Sequence, residues 1–509
     1  MIFWFSSSIS IAQIMFEKGY NLSGSSSSSI PLSNSITDIS IQGDTIWLGT
    51  GKGLSRSIDG GKSWKNYYDT PEFGNEDISA LAVRGKDVWV ALARSVEIDG
   101  QSLPEGRGLR YSSDGGTSWK KIAQPVDQNN VDTIFWGRNI VRALGVTTTI
   151  QNITYDIAFS DSAVWIASWA GMIRTSTDSG QTWNRVVIPP DKRDSISISD
   201  SISFDLSPSS GKLGLTGSLN HSGFSLLVEN NDTIWIGTAG GINKTTNGGL
   251  SWKKFSKQKQ TNPISGNFVV ALGKQKTTTK EIIWAATINA SDNTEKKGVS
   301  FSEDGGLNWK QVLIGEFTHN FGFKNEIVYA PTDNGVFRSE DFGSSWSQTG
   351  AIYDKTNRQR YTQSKFFSAA SAYDSIVWLG GSDGLVKTFD NAAYFFGSSW
   401  TISHASQPVS SQTETYAYPN PFAPDDEIVR IHYSTGKTYA ANVTLRIFDF
   451  GMNLVDTPVQ NALREANREH DEIWSGKTHN GTYVTNGVYF YQLVIEDDEP
   501  LWGKILVIQ

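Results

Sequence analysis

Seven copies of one unit run end to end through this chain, and a repeat of that kind restricts the fold to stacked or ring-closed architectures. Each copy has a strand centred on an aromatic: TIWLGT (45–50), VWVAL (88–92), VWIAS (164–168), TIWIGT (233–238), IIWAAT (282–287), IVYAPT (327–332) and IVWLGG (376–381). A glycine-led strand follows, then an acidic turn closed by tryptophan. Six of these turns read SIDGGKSW (57–64), SSDGGTSW (112–119), STDSGQTW (176–183), TTNGGLSW (245–252), SEDGGLNW (302–309) and SEDFGSSW (339–346). The seventh, from Thr388 through Asp390 to Trp400, carries the insertion AAYFFG. Of the 18 tryptophans, 13 fall at these two repeat positions, so the same packing task recurs in every copy. Six copies also place glycine six residues before the acidic position: Gly53, Gly108, Gly241, Gly298, Gly335 and Gly384.

The residue types explain themselves. Asp59, Asp114, Asp178, Asn247, Asp304, Asp341 and Asp390 can each accept backbone N–H bonds across a tight turn. The paired glycines supply positive φ. The tryptophan buries a large ring between neighbouring sheets, with its N–H expected to find a partner. Upstream of each aromatic strand lies another short strand, such as ITDISI (36–41), ISALAV (78–83) or VVALG (269–273). Four strands in each of seven copies predict a seven-bladed β-propeller over residues 36–403. In this register the chain starts on a first strand and ends on a fourth, so no blade needs to be shared between the ends.

The acidic turn resembles the Asp box, or BNR repeat, of sialidases, sortilin-type receptors, photosystem-assembly propellers and xyloglucan hydrolases. The phrase IWIGTAGGI (234–242) is also similar to the repeats of sensor-kinase periplasmic propellers. Both resemblances imply the same propeller fold.

Antiparallel connectivity assigns the faces. Turns between strands a and b, and between c and d, share one face; b–c and d–a connections share the other. The acidic turns are c–d turns. The long insertions, 94–107, 123–151, 189–223, 289–297 and 353–365, are b–c or d–a connections and converge on the opposite face, where function is expected. Candidates there are Trp136 and Trp169, the two propeller tryptophans outside the repeat positions, with the polar group Arg358, Arg360 and Tyr361.

After a polar linker (404–415) the style changes. YAYPNPFAP (416–424) opens a domain reaching residue 509, with alternating strands VRIHY (429–433), VTLRIFD (443–449), GVYFYQLVI (487–495) and GKILVIQ (503–509). That alternation predicts an antiparallel sandwich. The landmarks Pro419, Asn420, Pro421, Phe422, Trp474, Gly476, Lys477, Gly481, Gly487 and Tyr489 resemble the Ig-like domain of flagellar hook-capping proteins, and more closely the C-terminal sorting domain of type IX secretion substrates. Ser475 departs from that pattern, which has Asp there. The resemblance implies export through the outer membrane by a partner secretion machinery. The fold expected overall is all-β: a seven-bladed β-propeller followed by an Ig-like β-sandwich.

Composition narrows the rest. A net charge of −8 argues against a nucleic-acid partner, and the lysines at 253, 254, 257 and 259 read as a solvated loop and its flanking strands. With no cysteine and 6 histidines, His221 and His319 lack companions at ligand spacing, so neither a metal site nor a cofactor is expected. Residues 1–12, MIFWFSSSISIA, fit a signal peptide without the usual positive start, followed by a flexible segment at 13–35. No other apolar run approaches the ~18 residues of a transmembrane segment.

The expected function is a secreted or outer-membrane-surface propeller of a Gram-negative bacterium, binding a protein or glycan without catalysis. A secreted glycoside hydrolase, sialidase-like or xyloglucanase-like, is the alternative. A sialidase needs an arginine cluster and a Tyr–Glu pair, and Arg56, Arg110, Arg174 and Arg338 occupy different offsets from their turns. A periplasmic sensor propeller is the third reading.

Overall fold

The computed structural model describes residues 30–356, 359–373, 375–405, 415–418, 420–424, 428–466 and 469–508. The signal peptide expected at 1–12, most of the segments at 13–35 and 404–415, Arg358 and Pro419 lie outside the described residues. The chain divides into two compact units, 1–405 and 406–509.

The first unit is a β-propeller. Seven antiparallel sheets follow in chain order, spanning 36–67, 77–122, 154–185, 195–255, 268–312, 322–348 and 366–403. Six have four strands in the order a-b-c-d; the fourth gains an outer fifth strand, Ser195–Ser197, from the preceding insertion. The a strands are innermost. Strand b is apolar along nearly its whole length (Thr233–Thr238 is buried from Ile234 onward), because it has a sheet packed on each side.

What joins the sheets is a tryptophan relay. The ring closing each acidic turn packs against the strand-b aromatic of the preceding sheet. Trp119 meets Trp47 edge-on at 6.1 Å, and Trp346 meets Trp284 at 6.1 Å. Trp183 with Trp89, Trp252 with Trp165, and Trp309 with Trp235 share the corresponding clusters. Trp64 of the first sheet packs with Trp378 of the seventh, which closes the ring. Each such pair contributes about 0.5–1.5 kcal/mol beyond its area burial. No strand is exchanged at the closure. The ends are tied by Gly384 N–H donating to Asn34 O (2.7 Å) and Ala405 N–H donating to Asn34 Oδ1 (2.6 Å).

The acidic turns share one geometry. Asp59 Oδ1 accepts from the N–H groups of Lys62 (3.0 Å) and Ser63 (2.9 Å), and Oδ2 accepts from Ser63 Oγ (2.5 Å). Ser57 Oγ donates to Asp59 (2.8 Å) and accepts from Gly61 N–H (2.8 Å). Asp114 and Asp178 repeat this arrangement, and Asp341 does so except that the Ser344 N–H donates to Asp341 O (3.3 Å). Asn247 and Asp304 repeat its main bonds. The first glycine of the turn donates to the neighbouring a–b turn: Gly60 to Asp44 O (3.0 Å), Gly115 to Lys86 O (2.9 Å) and Gly248 to Asp232 O (3.0 Å). Both kinds of turn therefore lie on one face.

Two expectations fail here. The buried indole N–H groups of Trp64, Trp119, Trp183 and Trp252 make no hydrogen bond to the described protein, whereas Trp309 and Trp346 donate to Gly306 O and Gly343 O. Ring position is set by the opposing aromatic, not by the N–H. Asp390 does not cap the seventh turn. The insertion carries Gly397 and Ser399 out of reach, and Asp390 is buried instead, gripping Arg338 of the sixth sheet (2.8 and 3.0 Å) and accepting from Tyr329 Oη. Asn391 Oδ1 takes over the local turn, accepting from Ala393 and Tyr394 N–H (both 2.9 Å).

The second unit is a two-sheet sandwich. Three strands (Thr415–Tyr418, Val429–Ser434, Glu469–Trp474) face four (Leu454–Arg464, Ala441–Phe448, Gly487–Ile495, Leu501–Val507). Alternate residues of both sheets meet in one core containing Ile431, Tyr433, Leu445, Tyr491 and Ile505.

Candidate functional site at the loop face

Strand a carries a bulge in six of the seven sheets, between Ile36/Asp38, Ile78/Ala80, Thr154/Asp156, Gly223/Ser225, Val269/Ala271 and Phe366/Ser368. A bulge re-aims side chains. In the third, fourth and seventh sheets the extra residue is aromatic: Tyr155, Phe224 and Phe367. These sit at the entry end of strand a, on the face of the long connections. Trp169 from a b–c turn, Phe268 at the start of the fifth sheet's strand a, and Phe317 and His319 ahead of the sixth sheet join them.

The result is an aromatic arc spanning five sheets. Tyr155 lies 5.2 Å from Phe224, and Phe224 lies 4.1 Å from Phe268. Trp169 stacks on Phe268 at 6.1 Å and meets Phe224 edge-on at 5.3 Å. Phe317 packs on the same cluster and touches His319 (4.5 Å), which touches Phe367 (5.3 Å). Phe224 and Phe268 are buried; Tyr155, Trp169, Phe317, His319 and Phe367 keep partly open surfaces. His319 Nε2 contacts Asp333 Oδ1 (2.8 Å), with Lys365 Nζ 3.4 Å from the same oxygen. Burial pushes the His319 imidazole below its ordinary pKa, although Asp333 opposes the shift.

Over the first two sheets the same face is polar. Glu105 accepts from Arg94 Nε (2.8 Å) and Thr149 Oγ1 (2.9 Å), and Arg107 joins it (3.5 Å) to Glu76 (2.9 Å). Asp77 stands on the next rung, paired to Ala93, which pairs to Gly106, so its side chain leaves the sheet on the face opposite Glu105. Burial, assisted by Glu76 and opposed by Lys52, pushes Asp77 up to about 8. Desolvation raises the Glu105 carboxyl, but the hydrogen bonds from Arg94 and Thr149 together with the charges of Arg94 and Arg107 hold it below its usual value.

Inside the ring, Asp38 Oδ1 accepts from Ile39 N–H (2.8 Å), and Asp156 accepts from Ile157 (2.8 Å) and from Leu226 of the next sheet (2.7 Å). Both retain some contact with the ring's interior space yet are walled by protein, and desolvation pushes them to about 7 and 8.

Of the residues singled out from sequence, Trp169 belongs to the arc. Trp136 faces inward from a hairpin and packs on the core beneath it. The exposed aromatic of that hairpin is Phe135, with 80% of its surface open. Arg360 is exposed over the Tyr353 ring, while Tyr361 is buried, stacked on Phe366 at 4.6 Å within the seventh sheet's core. The strand-c arginines are bound locally: Arg174 to Asp127 (3.0 and 2.8 Å), Arg338 to Asp390, Arg110 to Glu72 O, and Arg56 over Trp47. His221 is buried against Ser207, where desolvation lowers its pKa to about 4. Among the described residues no group of three or more His, Cys, Asp or Glu could hold a metal ion, and no helix is long and apolar enough to cross a membrane.

In the second unit, Asn420 Nδ2 donates to Lys504 O (2.8 Å) and its Oδ1 accepts from Leu506 N–H (2.8 Å). Phe422 and Tyr489 both pack on Trp474 (5.8 and 5.6 Å), and Gly487 pairs with Val507 on the last strand.

The arc escaped the sequence reading because a bulge shifts the alternation by one residue at each entry. Tyr155, Phe224 and Phe367 look like ordinary strand positions without it. The recurring signal was an aromatic two or three residues ahead of an apolar run.

No family model and no curated protein matches the chain. Solved structures do. The Niastella koreensis GH74 enzyme is 12% identical with a TM-score of 0.50, covering 95% of this chain and 75% of its own. YCF48 from Cyanidioschyzon merolae is 16% identical (TM-score 0.43), covering 72% of this chain and 98% of its own. PorZ, described as a surface component of the type IX secretion system of Porphyromonas gingivalis, is 13% identical (TM-score 0.35), covering 93% and 66%. These neighbours are β-propellers, and the likeness concerns the fold.

Proposed function

We propose that the chain is a non-catalytic binding scaffold: a seven-bladed Asp-box propeller whose loop face receives a glycan or a partner protein, joined to an Ig-like domain that serves export. One observation carries the reading. Five sheets contribute to a single aromatic arc at the mouth of the ring, in which the half-open rings of Tyr155, Trp169, Phe317, His319 and Phe367 rest on the buried Phe224 and Phe268. Flat, partly exposed aromatics anchored by buried ones are the surfaces on which sugar rings and apolar side chains stack with little entropic loss. The export role rests on the resemblance of the landmarks from Pro419 to Tyr489, and it implies a protein that is secreted or held on the outer-membrane surface.

A glycan-array screen of the full chain, with every bound glycan checked for cleavage, tests this. Binding without turnover, weakened at least about tenfold by Trp169→Ala, is the expected outcome. If the array is silent, a partner protein is the ligand class left for the arc. Unweakened binding by that variant would remove the arc from the function.

The second reading is a glycoside hydrolase, in which Asp77, a carboxyl that burial keeps protonated near neutrality, would serve as the general acid. Cleavage abolished by Asp77→Asn would replace the scaffold reading.

A further inference from the structure

The two longest insertions do not dangle separately. Asn139 Nδ2 donates to Asp200 O (2.8 Å), its Oδ1 accepts from Ile202 N–H (2.9 Å), and Leu206 N–H donates to Arg142 O (2.8 Å). Together with Val141, Ala143, Val146, Met172 and Leu206 they form a small lobe with its own core. Its outermost element is the hairpin Val131–Trp136 and Asn139–Leu144, closed by a two-residue turn.

Strand Val131–Trp136 has an open edge. Among the described residues no strand pairs on its far side. In a hairpin with a two-residue turn the flanking pair, Trp136–Asn139, exchanges hydrogen bonds, and alternate pairs follow. Val131, Thr133 and Phe135 therefore direct their N–H and C=O groups outward. The sister strand confirms the phase: its outward groups at Arg142 and Leu144 are those that Leu206 uses (2.8 and 2.9 Å). Asp132 Oδ1 satisfies the Thr133 N–H (2.8 Å) while the edge stands open. The same three residues present their side chains on the solvent face, where Phe135 is 80% and its cross-strand partner Ile140 64% exposed.

We propose that this edge is where two copies of the chain meet, antiparallel about a two-fold axis through Thr133. The sequence of the edge is self-complementary in that register. Thr133 opposes its own twin, and Val131 opposes Phe135 of the second copy twice over, both favourable cross-strand pairings. Each outward N–H then faces an outward C=O, and the two Ile140–Phe135 patches join one continuous sheet face. The charge at the edge is Asp132, whose Oδ1 must release the Thr133 N–H as the strands meet and whose Oδ2 stays paired to Arg185 (2.9 Å). On the sister strand Arg142 is held by Asp205 (3.8 Å) and Leu213 O (3.4 Å). An extended segment of another protein could use the hydrogen-bonding groups, but only the second copy supplies the matched side chains by symmetry. A six-residue edge covers less than the about 1,200 Å² of a stable complex, so the association is weak and concentration-dependent.

The chain contains no cysteine, which makes the register directly testable. In the full chain, Thr133→Cys should form a disulfide-linked dimer under mild oxidation. Val131→Cys and Phe135→Cys should each stay monomeric alone and cross-link when mixed. Sedimentation velocity should show dimer growing with concentration, weakened at least about tenfold by Thr133→Pro, which an edge strand tolerates. Far-UV circular dichroism unchanged from the parent establishes that this variant is folded, and Phe135→Lys serves as the second disrupting variant. A monomer at several hundred micromolar that does not cross-link through Thr133→Cys overturns the proposal. So does a dimer indifferent to both disrupting variants, or an edge that captures only unrelated extended peptides.

Discussion

At the scale of single residues, the second glycine of the acidic turn has two duties, and only one is legible in sequence. Its positive φ follows from the turn. Its closeness to the preceding sheet does not: a β-carbon at Gly116 would lie 2.5 Å from the Trp47 ring, and one at Gly61 2.5 Å from Trp378. Gly343 stands in the same relation to Trp284 (2.7 Å), while at Gly180 and Gly306 the β-carbon would meet Ile122 (2.7 Å) and Phe255 (2.9 Å) first, with Trp89 and Trp235 at 3.2 Å. Gly115, one position earlier, has the same φ sign but its nearest neighbour is a guanidinium nitrogen at 3.9 Å. Gly116→Ala should therefore cost about 2–4 kcal/mol in denaturant unfolding, and Gly115→Ala only about 1 kcal/mol. Equal losses would mean that the neighbouring tryptophan yields freely. Asp390 offers a second contrast. Asp390→Ala leaves Arg338 buried against Glu340 alone and should cost about 3–5 kcal/mol, more than Asp178→Ala in an exposed turn. From sequence Asp390 looked like one more turn residue, because spacing cannot tell where an insertion sends a carboxylate.

At the scale of elements, strand positions were readable and their entries were not. The aromatic strands and acidic turns repeat on a fixed period, which is why residues such as Trp47 and Trp235 could be placed in the core from the chain alone. Strand b pairs Trp47 with Arg56, Trp235 with Lys244 and Trp378 with Lys387, each cation over its ring at 5.1, 4.4 and 5.2 Å. That theme depends on cross-strand register, which follows from a two-residue offset in the turn. The bulges do not follow from any period, and they decide where Tyr155, Phe224 and Phe367 point. The hairpin at 131–144 was hidden for a related reason: its alternation is that of a strand, but it lies inside an insertion read as loop. Deleting the extra residue Phe367 should slip the entry of the seventh sheet and remove one end of the arc. Loss of ligand binding with an unfolding midpoint lowered by only a few degrees would separate that effect from general damage.

At the scale of the whole molecule, the carboxylates set opposing pH limits. Hydrogen bonds from Ser63, Ser118 and Thr182 hold Asp59, Asp114 and Asp178 well below the ordinary range, so their support is present above the unfolded pKa and is lost as pH falls through the folded values. Asp38 and Asp156 act in the other direction. Their folded values of about 7 and 8 lie above the unfolded value, so their contribution is complete below about pH 4 and is lost as pH rises through 7 to 8. Stability should decline from pH 5 to pH 9, and Asp38→Asn with Asp156→Asn should flatten that decline in thermal unfolding across the range. An unchanged slope would show that other groups govern it. The closing junction has a further consequence. Because Asn34 receives both Gly384 and Ala405, the polypeptide enters and leaves the ring through one doorway, with no strand lent across it. Such a ring is a cassette: genetic rearrangement can splice it whole into a surface turn of an unrelated protein, and neither host nor guest need relearn its own folding.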